Sequence, residues 1–140
     1  MRALALDVGD RRIGVALSDP TGLIATPLTT IIRRSEAEDI AAVLALAADN
    51  EAGEIVVGMP LLLSGRAGPQ ARRVSHLARA LARQAPVPVE TIDERYSTVE
   101  AERRLREAGG RPSRDRAKVD AAAAAVILQA HLDARRASSG

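Results

Sequence analysis

Four acidic residues stand where an apolar chain gives little reason for charge. Asp7 follows Leu4-Ala-Leu, Asp93 and Glu94 close the run from Pro86, and Asp120 opens an alanine-rich stretch. A carboxylate in an apolar strand costs on the order of several kcal/mol unless it is paired or binds a cation. Carboxylates drawn from separate elements suit metal-assisted phosphoryl hydrolysis. Mg²⁺ or Mn²⁺ takes hard carboxylate oxygens, and two ions about 4 Å apart can activate water and stabilise the leaving oxygen. Each acid alone has an ordinary role. Asp7 could accept hydrogen bonds in the turn before Gly9, Asp120 could complement a helix dipole, and Glu94 could pair with Arg95. Asp93 and Glu94 cannot both face one site in a regular strand, and spacing alone leaves the choice between them open.

The elements that must hold these acids can be read in order. Residues 3–9 and 12–18 form two strands around a Gly-Asp-Arg-Arg turn, and β-branched residues 26–32 form a third, with Pro27 favouring an edge or start position. Gly9 and Gly14 bracket the turn, as positions of positive φ, of a bulge, or of close approach by a phosphate. A helix over 36–51 shows Ile40, Val43, Leu44 and Ala47 at helical spacing, with Ser35 and Glu38 as a capping box. The continuous apolar run 54–60 suits a buried parallel strand. The loop 61–69 after it lacks a Gly-Lys-Ser/Thr phosphate cradle but is a candidate site rim. A helix over 69–84 carries Arg72, Arg73, Arg79 and Arg83 off its apolar stripe; His76, with no histidine at i±4, reads as a surface residue. Strand five spans 86–93, a helix 98–108, a basic loop 109–118, a last helix 119–134 and a frayed tail 135–140.

Bulk properties narrow the class. The chain of 140 residues is 46% hydrophobic and 27% charged, has no cysteine and no apolar run near membrane-spanning length, and so reads as one domain, residues 1–134, of a cytoplasmic protein. Twenty bases against 18 acids leave only +2, but the distribution is uneven. Six acids and no base occupy residues 36–54, five arginines and no acid occupy 66–83, and seven bases crowd 103–118. That asymmetry suits a polyanion on one side of the molecule, or equally a set of solvated helix faces. Tyr96 is the only aromatic side chain besides the histidines, which argues against a base-stacking platform.

With those residues in view, the chain resembles the YqgF (RuvX) family. Asp7-Val-Gly-Asp-Arg-Arg-Ile-Gly-Val-Ala-Leu-Ser-Asp19, Val57-Gly-Met-Pro60, Asp93-Glu-Arg-Tyr-Ser-Thr98 and Lys118-Val-Asp-Ala-Ala-Ala-Ala124 look like its four signature blocks, in order, over about residues 2–133. The resemblance implies an α/β, RNase H-like, RuvC-related fold: a five-stranded mixed sheet of order 3-2-1-4-5 flanked by helices on both faces. It implies a nuclease that matures the 5′ end of 16S ribosomal RNA, with resolution of Holliday junctions or nucleic-acid binding without catalysis as alternatives. Its acidic triad maps to Asp7, Glu94 and Asp120 as catalytic residues and ligands of Mg²⁺ or Mn²⁺, in a two-metal arrangement. RuvC takes its second acid after strand four, where this chain has Gly-Met-Pro, so the triad relies on strand five. Arg12 and Arg95 match family positions suited to phosphate contact. Arg111, Arg114, Arg116 and Lys118, in the basic loop, would position the nucleic-acid backbone. The partners implied are structured RNA (pre-rRNA) or branched DNA, with the protein a monomer or homodimer and no membrane involved. The Asp-x-Gly hairpin also resembles the phosphate loop of actin-like ATPases and sugar kinases, but those clamp ATP between two such domains, and 140 residues supply one.

Overall fold

The computed structural model describes residues 1–94 and 116–139. In chain order its elements are β1 (Arg2–Val8), β2 (Arg12–Ser18), β3 (Ala25–Ile32), α1 (Glu36–Asp49), β4 (Ala52–Met59), α2 (Pro69–Gln84), β5 (Val89–Asp93) and α3 (Arg116–Ser139). The expected helix over 98–108 lies outside the described residues. The strands form one sheet of order β3-β2-β1-β4-β5. β1 pairs antiparallel with β2 and parallel with β4; β2 pairs antiparallel with β3, and β4 parallel with β5. The order and mixed sense are those expected.

The two faces of the sheet differ because its strands alternate large and small residues. Leu4, Leu6 and Val8 of β1 point to one side and pack with Ile40, Val43, Val74 and Leu81 of α1 and α2. Ala3 and Ala5 point to the other, and there meet Ala124, Leu128 and Leu132 of α3. Small residues on that face let α3 lie close. A Cβ at Gly14 would stand 2.0 Å from the Asp120 carbonyl oxygen, so only glycine fits beneath the first turns of the helix. Gly14 is thus not a turn residue of positive φ, and what approaches it closely is α3.

Several boundaries shift. β4 begins at Ala52, and β5 begins only at Val89, beyond Pro86 and Pro88, which cannot donate to the ladder. Ser35 caps α1, its hydroxyl accepting from the Glu38 amide at 3.1 Å, and of the reciprocal half of the capping box the Glu38 carboxylate reaches that same hydroxyl, at 3.3 Å. α3 starts at Arg116, inside the expected loop, and continues to Ser139 where a frayed tail from Arg135 was expected. The reason is Arg135. It donates from Nη1 to Glu54 Oε1 at 2.7 Å and from Nη2 to Glu90 Oε1 at 3.1 Å, fixing the end of the helix to β4 and β5. Both carboxylates hold the guanidinium above its ordinary pKa, chiefly through the hydrogen bond to Glu54.

Candidate active site

Asp7 lies next to last on β1, on the α3 face, and is 5% exposed. Its cross-strand neighbour on β2 is Gly14, and on the β4 side the nearest residue of the same face is Gly58. Two strand positions without side chains therefore flank the carboxylate, and each is overhung by another acid. Asp120, in the first turns of α3, lies above Gly14. Glu94, one residue beyond β5, lies above Gly58: a Cβ there would stand 2.9 Å from Glu94 Oε1 and 3.1 Å from Ile127 Cδ1. Glu94 is 2% exposed. Asp7, Glu94 and Asp120 thus gather on one face at one end of the sheet, where the parallel strands present their carboxyl ends. Strand alternation distinguishes Glu94 from Asp93. Glu90 and Ile92 of β5 face α3, and Glu94 continues that side, whereas Asp93, paired in register with Met59, belongs to the opposite one.

Arg12 begins β2 on the same face as Gly14. Its Nε donates to Asp120 Oδ2 at 2.7 Å, with both side chains about one-quarter exposed. The arginine expected to meet a phosphate is therefore engaged with an acid of the triad. Of the other expected contacts, Arg116 and Lys118 fall in the first turn of α3, beside Asp120 in sequence, while Arg95, Arg111 and Arg114 lie outside the described residues. The hairpin that carries Asp7 is fixed from the other face by Arg33. Its Nη1 donates to the Gly9 carbonyl at 2.9 Å, and its Nε to the buried Asp39 at 3.1 Å. Neither Arg33 nor Asp39 stands out in the sequence; their only signal is an acid one turn into a helix that already has its cap.

Three carboxylates on hard-oxygen terms fit Mg²⁺ or Mn²⁺ better than a soft metal. Two of them, Asp7 and Glu94, are buried on the same face with Gly14 and Gly58 beside them. Among the described residues no three acids, histidines or cysteines form a finished ligand set, and Asp120 is held by Arg12.

A mixed sheet of this order with helices on both faces is an RNase H-like fold. The fold superposes on Thermus thermophilus RuvC in complex with a Holliday junction substrate with a TM-score of 0.59, at 19% identity, over 97% of this chain and 96% of that one. The chain belongs to the RuvX family, whose model, described as Holliday junction resolvase, matches residues 1–134. A Mycobacterium ulcerans protein named "Putative pre-16S rRNA nuclease" is 49% identical over 140 residues, 99% of this chain and 82% of that protein. A protein of the same name from Chloroflexus aurantiacus is 46% identical over 135 residues, 96% of this chain and 88% of the other. Among the described residues no helix is long and apolar enough to cross a membrane.

Proposed function

We propose that this chain is a metal-dependent nuclease, a single domain that hydrolyses phosphodiester bonds and trims the 5′ end of pre-16S rRNA in the cytoplasm. The observation that carries the reading is the gathering of Asp7, Glu94 and Asp120 around the glycine gaps at positions 14 and 58. The names of its relatives support RNA as the substrate. Asp7, Glu94 and Asp120 would hold Mg²⁺ or Mn²⁺, which when bound eases water attack and neutralises charge at the phosphate. Water adds at phosphorus opposite the leaving oxygen, giving a 5′-phosphate and a 3′-hydroxyl. Arg12 stands at the edge of the acids, where its guanidinium can exchange Asp120 for a non-bridging phosphate oxygen, a bidentate partner of similar geometry. Arg95, Arg111, Arg114, Arg116 and Lys118 would hold the flanking backbone without reading its bases.

The test is cleavage of an end-labelled precursor-rRNA 5′ stem, with Mn²⁺ or with EDTA, by the wild type and by Asp7→Asn. Cleavage is expected to need both metal and Asp7, and to fall by about a thousandfold or more in the variant. Undiminished cleavage by Asp7→Asn overturns the reading. The description of the family model favours a second substrate, the four-way DNA junction. Faster metal-dependent cleavage of a junction than of the rRNA stem would transfer the same site to that reaction.

A further inference from the structure

The end of the sheet that bears the carboxylates has a second feature on its opposite face. Between the hairpin tip at Asp10, the β3–α1 link and the first turns of α2 lies an open cleft of about 700 Å³. Each of its acids has a partner, two of them an arginine and the third an imidazole. Asp39 accepts from Arg33 Nε at 3.1 Å, Asp10 lies 3.6 Å from Arg73, and Glu36 lies 3.1 Å from His76 Nε2. That leaves Arg34 on the link and Arg72 on α2, both exposed, both lining the cleft, with no side-chain partner for either guanidinium among the described residues. Asp10 is three residues beyond Asp7, so the cleft opens within about 10 Å of chain from the carboxylate.

We propose that this cleft is a second phosphate track. The nucleic-acid strand that flanks the scissile bond passes over the hairpin tip, and its backbone phosphates are held by Arg34 and Arg72. The inference rests on the carboxylate end being the one that meets nucleic acid. Two exposed guanidiniums from separate elements lining one cleft suit a chain of phosphodiesters, which offers one anion per nucleotide, better than an acidic peptide or a lone anion. The cleft's lining has no Phe, Tyr or Trp, and its one imidazole, His76, is turned to Glu36, so it would hold backbone rather than stack bases.

The experiment measures binding, not cleavage, and so separates this proposal from the nuclease reading. Arg34→Gln/Arg72→Gln is built on Asp7→Asn protein and titrated in EDTA against a precursor-rRNA 5′ stem with a single-stranded flank, over a range of salt. Arg79→Gln/Arg83→Gln, on α2 but outside the cleft, serves as the charge-matched control. The cleft pair is expected to weaken binding about tenfold. It should also flatten the slope of log K against log salt by about 1.4, two single-strand phosphate contacts. The control pair should leave the slope unchanged. Equal losses in both pairs, or no change in the cleft pair, overturn the proposal. Loss in the cleft pair alone upholds it, even if the wild type never cuts the stem.

Discussion

At the scale of single residues, Asp19 shows how one carboxylate orders a loop. It follows β2 and accepts from the amides of Leu23 at 2.8 Å and Ile24 at 2.9 Å, and from the Thr21 hydroxyl. The Ile24 amide, and then the Thr21 hydroxyl, hold its pKa far below the usual carboxylate range. A depressed folded-state pKa contributes stability above the unfolded value, near 3.8, which is lost as pH falls from there through the folded one. Order in the loop 19–24 is therefore expected to be constant from neutral pH down to about 4 and to fade in stronger acid. Asp19→Ala at neutral pH should speed amide exchange at Leu23 and Ile24, and unchanged protection of both would refute the role. Asp7 was legible in the sequence because a charge in an apolar strand is costly anywhere. Glu94 was not separable from Asp93, since the choice depends on which face of β5 meets α3. The Arg12–Asp120 pair was not legible either, because 108 residues separate its partners.

At the scale of elements, the site depends on how near α3 comes to the sheet. The alternation of leucine with alanine along β1 and the alanines of α3 announce a close contact, but sequence cannot say that Gly14 is where the helix backbone touches. Glycines 14 and 58 should therefore respond differently to the same added methyl. In Gly14→Ala the new carbon meets helix backbone at 2.0 Å, so α3 must move, and we expect a stability loss of about 3 kcal/mol or more. In Gly58→Ala it meets the Glu94 side chain at 2.9 Å, which can swing aside. The fold should then lose less than about 1.5 kcal/mol while metal-dependent cleavage falls about 10–100-fold. Denaturant titrations and rates on the two variants check both. A Gly58→Ala protein that cuts at the wild-type rate would remove Glu94 from the site.

Across the whole molecule, the proposed catalysis and the anchoring fall at opposite ends of one helix. α3 carries Asp120 in its first turns and Arg135 fifteen residues on, about 22 Å along the axis. At the first end, three acids drawn from β1, the end of β5 and α3 share one face of the sheet, with Asp120 held by Arg12. At the second, charges of opposite sign are matched: Glu54, 8% exposed, receives two hydrogen bonds from Arg135. Removing a charge should therefore act on different properties at the two ends. Asp7→Asn keeps the shape of the side chain and is expected to leave the fold intact while cleavage is lost. Arg135→Ala strands the Glu54 carboxylate and is expected to lower stability by about 1–3 kcal/mol, with cleavage per folded molecule unchanged. Thermal melts and metal-dependent rates on the two variants would show whether the separation holds. If Arg135→Ala depressed the rate as much as the stability, the far end of α3 would have to act on the carboxylates through the helix, and the helix would be a lever rather than a strut.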